Sequence, residues 1–224
     1  MRDKNGWRAA FRDTLPVMAG YVVLGMGFGV LMHTRGYGLP WTFAMSLFIY
    51  AGSMQYVAVD LIAGGASLLT ATVTTLLVNA RHLFYGISML ERYAPAGRRK
   101  PYMIFALTDE TYSLACAGPE RSTDYLFRIS LLDQTYWVTG SVLGSLAGAL
   151  IPFNSTGIDF ALTALFLTVF LDQWRSAADH RPALVGLGAS AGCLLLFGPE
   201  RFLLPAMAGI VALLLALSRR KDQL

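Results

Sequence analysis

Three short stretches of this chain carry polar and charged groups inside otherwise apolar surroundings. LLVNARHLFYG (76–86) holds Asn79, Arg81 and His82 within four positions. ALTDETYSL (106–114) sets Asp109 beside Glu110, and YAGSMQY (50–56) brings Gly52, Ser53 and Gln55 close together. A carboxyl and an imidazole away from water are the ordinary parts of a proton relay. An arginine offers donors to an anion. A Gly-Ser break in an apolar helix frees backbone N–H and C=O groups that can hold the charged ends of a small solute. What these groups can do depends on the elements that hold them.

Those elements are apolar and long. Hydrophobic residues make up 55% of the 224-residue chain and charged residues 14%, against roughly 25% charged in soluble domains. Apolar blocks run at about 14–33, 41–63, 66–90, 102–118, 129–152, 158–174, 182–198 and 202–218. Several approach the ~20 residues a helix needs to cross ~30 Å of hydrocarbon. The period-2 alternation of a barrel strand is absent. The expected fold is an all-α polytopic membrane protein, a bundle of six to eight transmembrane helices with an internal repeat and a broken helix. It forms a single integral membrane domain in a bacterial cytoplasmic membrane. In such a setting an arginine at the bilayer centre costs about 2.5–3.5 kcal/mol on the insertion scale, so the three stretches require a reason.

Charge placement bears on orientation. The start, MRDKNGWRAAFR, and the end, SRRKDQL, are both basic and are expected on the cytoplasmic side, which requires an even number of crossings. The 91–101 loop, with Arg92, Arg98, Arg99 and Lys100, belongs there as well. Eight simple spans put that loop outside. Six spans put every basic cluster inside, provided 66–90 is re-entrant and 102–118 does not fully cross. No cleavable signal is visible. The net charge of +4 then reflects cytoplasmic loops and not a nucleic-acid partner.

Other chemistries find little support. Cys116 and Cys193 sit in apolar blocks and read as small packing residues, not as a disulfide or metal pair. The three histidines are far apart and no HExxH or CxxC pattern exists, so neither a metal nor a cofactor is expected. Ser53 and His82 are the only pair that could serve a hydrolase, and no GxSxG elbow surrounds the serine. An enzyme is not expected. A subunit for assembly or sensing, using its buried polar groups to bind helices together, is the alternative to a transporter.

Sliding the chain against itself by 119 residues aligns VLGMGFGVLMHTRGYG (23–38) with VLGSLAGALIPFNSTG (142–157). Val23, Leu24, Gly25, Gly29, Leu31 and Gly38 meet identical residues. Each stretch leads into a further apolar helix that runs into polar residues, Ser53 and Gln55 in one half, Asp172 and Gln173 in the other. Repeat halves at 13–118 and 129–218 follow, a plan that places the substrate of a secondary transporter at the repeat interface. Gly25, Gly27 and Gly29 suit close helix packing.

Each polar stretch also has a plain structural reading. Gly52–Ser53 is either a helix break or a packing notch, with Gln55 bonded to a neighbouring helix. Arg81 lies roughly 13 Å deep if 66–90 is one helix; alternatively the helix ends near Ala80 and LFYGISML lies along the interface. Asp109 and Glu110 point to different sides of a helix, so one faces a given cavity. That carboxylate pairs with Arg81 or His82, or is protonated; alternatively the stretch is a surface turn. Asp133 and Gln134 in LLDQTYW come early in their apolar block and read as structural.

Together YAGSMQYVAVDLI, VNARHLFYG and LTDETYSL, in that order and spacing, resemble the large membrane subunit of the AzlC-type branched-chain amino acid exporters. The likeness covers nearly the whole chain, including FRDTLPVMAGYVVLGMGFG at its start. It implies export of leucine, isoleucine, valine and related apolar amino acids, alongside a small hydrophobic AzlD-type membrane subunit. A zwitterion needs donors for its carboxylate and an acceptor for its ammonium. Arg81, or the N–H groups at Gly52–Ser53, are placed to hold the carboxylate, and Asp109 or Glu110 with Gln55 the ammonium. Tyr50, Phe48, Phe84 and Tyr85 offer walls for an apolar side chain, with Asn79 beside them. No GxxxxGK[ST] loop is present, so an ion gradient is the expected driver, with His82, Asp109 and Glu110 as proton carriers.

Overall fold

The computed structural model describes residues 6–116, 121–150, 179–198 and 202–221, together with a few positions between 167 and 177. Among these the chain is helical throughout. Two compact units divide it, Met1–Leu162 and Thr163–Leu224.

The first unit is built on two 28-residue helices, α1 (Trp7–Thr34) and α8 (Thr123–Leu150). Between them come shorter helices: α2 (Leu39–Phe48), α3 (Gly52–Ala63), α4 (Leu68–Val78), α5 (Ala80–Ser88), α6 (Lys100–Phe105) and α7 (Asp109–Cys116). A 3₁₀ turn at Ala94–Arg99 precedes α6. Among the described residues α1 alone is both long and apolar enough to cross a membrane unaided.

Glycines bring α1 and α8 into backbone contact. A Cβ built on Gly25 would stand 2.8 Å from the Trp137 carbonyl oxygen, and one on Gly140 2.6 Å from that of Val22. A Cβ on Gly29 would run into the Ser141 carbonyl, and one on Gly144 into that of Met26. Four glycines on facing stripes therefore let the two backbones approach as no larger residue would permit. Gly27, on another side of α1, makes room for the Tyr56 hydroxyl, which donates to the Leu24 carbonyl at 2.6 Å.

Each apolar block around a polar stretch is interrupted. Block 41–63 divides into α2 and α3 at Ile49–Ala51, where Tyr50 adopts φ 43°, a left-handed backbone costly for an aromatic residue. Just after it the Gly52 backbone lies against the Trp137 ring, with Cη2 3.1 Å from a built Cβ. The Trp137 indole N–H also donates to Gln55 Oε1 at 2.8 Å, which fixes the first turn of α3. Block 66–90 divides at Asn79, which ends α4 and begins α5; asparagine prefers such caps to helix interiors. Block 102–118 divides at Ala106–Thr108. There Thr108 Oγ1 accepts from the Thr111 amide at 3.3 Å, and Asp109 and Glu110 occupy the first turn of α7, where the helix dipole favours acidic groups.

The basic loop after α5 is tied down. Arg92 donates to the Ala115 carbonyl in the last turn of α7, and Arg99 pairs with Asp124 in the first turn of α8. Beneath it Ala10, Met89, Tyr93, Met103, Leu107, Tyr125 and Ile129 form an apolar core. The second unit contains α9 (Arg181–Phe197) and α10 (Leu203–Lys221), packed on each other. The cysteines are free, and Cys116 is exposed and Cys193 partly so, where the sequence reading expects small packing residues. Residues 151–157, which the internal alignment pairs with 32–38, lie outside the described residues, as does the Asp172–Gln173 pair.

Candidate substrate and ion site

The three helix breaks meet through their side chains. Arg81 Nη2, on the first turn of α5, pairs with Asp109 Oδ2 of α7 at 2.9 Å and donates to Ser53 Oγ of α3 at 3.0 Å. Both members of the ion pair are about one-third exposed, 37% and 34%. One nitrogen makes both contacts, so Arg81 Nε, which is buried, has no partner among the described residues; neither do Asp109 Oδ1 or Asn79 Oδ1. A guanidinium presents five N–H donors in a planar fork, and most of this one's capacity is uncommitted. Beside the pair, Tyr85 stacks on Tyr112 with centroids 4.4 Å apart. The α3 N-terminus carries no side-chain cap, so its first-turn amides remain available to an acceptor.

Glu110 turns the other way. Its Oε2 lies 2.5 Å from the Tyr21 hydroxyl of α1, which is 2.7 Å from Thr108 Oγ1. Thr108 Oγ1 lies 3.1 Å from Thr111 Oγ1, and Thr111 donates to Asp133 Oδ2 of α8 at 2.8 Å. Tyr21, Thr111 and Asp133 are buried, the last two fully. Asp133 Oδ1 and the buried Tyr50 hydroxyl have no partner among the described residues. Alongside, Tyr102 donates to Gln134 Oε1 at 2.8 Å, and Gln134 Nε2 donates to the Leu47 carbonyl at 3.1 Å, just before the first break.

The candidate residues therefore separate into groups. Ser53, Arg81 and Asp109 are in direct contact, with Asn79 and Tyr85 beside them. Gly52 and Gln55 are held by Trp137, with Gln55 Nε2 buried and unpartnered among the described residues. Glu110 belongs to the hydroxyl chain. His82 is bonded through Nδ1 to the Asn79 carbonyl at 3.2 Å and rests on Tyr85, and it reaches no carboxylate among the described residues. Phe48 and Phe84, expected as walls, are 74% and 72% exposed and turn outward. Sequence reasoning passes over Tyr21, Thr111, Asp133 and Trp137. Asp133 reads as peripheral because its apolar block begins at 129, whereas the helix begins at Thr123 and buries Tyr125 and Leu126. It is thus the eleventh residue of α8, roughly 15 Å from its start. A carboxylate within so long a helix is the available signal.

The AzlC protein family matches this chain over residues 16–151, which covers most of α1, all three breaks and α8. The branched-chain amino acid transport protein AzlC of Bacillus subtilis is 41% identical over 217 residues, 95% of this chain and 85% of that protein. An uncharacterized membrane protein of Helicobacter pylori is 41% identical over 96% of both chains. The inner membrane protein YgaZ of Escherichia coli is 27% identical over 91% of this chain and 88% of its own. No solved structure matches. The chain belongs to the AzlC family, which is a family of membrane transport proteins and not of enzymes.

Proposed function

We propose that this chain is a multi-pass secondary transporter of a bacterial cytoplasmic membrane. It exports leucine, isoleucine, valine and related apolar amino acids, together with a small AzlD-type membrane subunit and at the expense of the proton gradient. The observation that carries this reading is the meeting of Ser53, Arg81 and Asp109 at three helix breaks. An α-amino acid presents a carboxylate and an ammonium a few ångströms apart. Arg81, through Nε, which has no partner among the described residues, with the amides of Gly52 and Ser53, takes the carboxylate. Asp109 Oδ1, free of other partners among the described residues, takes the ammonium. Tyr50 and Tyr85 flank the side chain.

The likeness to a branched-chain amino acid transport protein supports the substrate class. Leu68, Leu69, Leu83 and Ile87 stand exposed on α4 and α5, as residues facing lipid would be. The chain would cross the bilayer six to eight times, in two repeat halves, 13–118 and 129–218.

The test is counterflow of labelled leucine into liposomes holding this chain with and without the small subunit. Exchange that requires both and is competed by valine and isoleucine is the expected result. Absence of leucine exchange in every combination would remove the substrate assignment.

A further inference from the structure

We propose that Asp133 is the carboxyl that takes up the coupling proton, and that Glu110 loads it through the hydroxyls of Tyr21, Thr108 and Thr111; this rests on the reading of the chain as a gradient-driven transporter. The side chain of Asp133 is fully buried. Thr111 donates to one of its oxygens, and nothing among the described residues reaches the other. Among the described residues the ionisable groups that interact with it are Glu110 of α7, Tyr102 of α6, Tyr50 at the first break and Tyr136 of its own helix. Among the described residues no basic side chain pairs with it. A buried carboxylate without a cation is costly by several kcal/mol; the neutral acid fits these surroundings as they stand.

The path to it is continuous. Glu110, only partly buried, stands at its outer end. When protonated Glu110 donates to Tyr21, the Tyr21 hydroxyl donates to Thr108, Thr108 to Thr111 and Thr111 to Asp133 Oδ2, over separations of 2.5, 2.7, 3.1 and 2.8 Å. In the transfer one O–H bond breaks and one forms at each hydroxyl. The net change is loss of a proton from Glu110 and its appearance on Asp133, with no electron moved. The chain links the α7 side of the Arg81–Asp109 pair to α8. Asp109 and Glu110 are neighbours on α7, so solute bound at Asp109 and proton bound beyond Glu110 act on one short helix.

The experiment combines two readouts on Asp133→Asn, Tyr21→Phe and Thr111→Val. In purified chain, infrared difference spectra across a pH titration should show a protonated-carboxyl C=O band that Asp133→Asn removes. In liposomes with the small subunit, all three variants should lose accumulation driven by a pH gradient by about tenfold or more, a larger loss than any in leucine exchange at equal pH. A band unchanged in Asp133→Asn, driven accumulation unchanged in it, or accumulation that follows a sodium gradient instead would overturn the proposal. Should wild type fail to exchange leucine, the transport reading falls and the infrared band alone decides on Asp133. Should Asp133→Asn fail to fold, driven accumulation in Tyr21→Phe and Thr111→Val decides, and its persistence in both overturns the proposal.

Discussion

Arg81 makes two contacts from one nitrogen and leaves the rest of its fork unused. A lysine in its place keeps the charge but offers a single compact ammonium. It can reach Asp109 or Ser53, yet it cannot grip a carboxylate along an edge at the same time. Arg81→Lys should therefore weaken leucine binding by about tenfold or more, equivalent to about 1.4 kcal/mol or more, with the protein still folded. Arg81→Gln should abolish exchange while the chain still inserts. Dialysis binding and counterflow on both variants check this, and unchanged affinity in Arg81→Lys would remove the edge-on grip. That a carboxylate of the Asp109–Glu110 pair meets Arg81 or His82 is one of the readings the sequence offers because these charges stand in apolar blocks; which carboxylate and which base it leaves open, and the structure pairs Arg81 with Asp109. Asp133 is not legible, because the position of a charge within a helix cannot be read until the ends of that helix are known.

The broken helices show the same contrast one level up. Gly52–Ser53 reads as a helix break or a packing notch, since Gly and Ser together weaken an uninterrupted apolar helix, and both features are present: the helix is interrupted at Ile49–Ala51 and Gly52 packs on Trp137. The breaks at Asn79 and at Ala106–Thr108 are harder to read, for one asparagine or threonine interrupts a helix only when side-chain partners reward it. Here those partners are Arg81, Asp109 and Thr111, each distant in sequence from something it touches. Substitution at Gly52 tests the arrangement. An alanine Cβ would stand 3.1 Å from the Trp137 ring, so α3 must shift and strain the Gln55–Trp137 hydrogen bond. Gly52→Ala should lower stability by about 1–3 kcal/mol. Gly20→Ala in α1, where a Cβ meets nothing, should raise it by about 1 kcal/mol or less. Thermal unfolding in detergent reads both signs, and equal effects would mean that Gly52 is not there for the indole. Trp137→Phe, which leaves Gln55 buried without its donor, should cost about 1–3 kcal/mol in the same measurement.

At the scale of the whole first unit, α1 and α8 are joined along their glycines, and the remaining helices hang between them. Both helices follow from their apolar blocks, and the close-packing role of Gly25 and Gly29 follows from their spacing. That their facing stripe is Gly140 and Gly144 does not, because spacing names a face without naming its partner. Gly144→Leu drives a side chain into the Met26 carbonyl and should leave no folded monomer by size-exclusion chromatography. Leu131→Ala, on an exposed part of the same helix, should leave it intact.

The glycine seam also limits how the molecule can move. Backbones this close cannot slide past one another by a residue, since every intermediate position would set a side chain against a carbonyl. The two long helices then behave as a fixed beam, and movement within the first unit is left to the interrupted elements. Tyr50, Asn79 and Ala106–Thr108 are the places where the chain already departs from a helix and can rotate without breaking one. Ser53, Arg81 and Asp109 stand at these same joints, so on the proposed reading occupancy of the site and the angle of the half-helices are governed by the same few bonds.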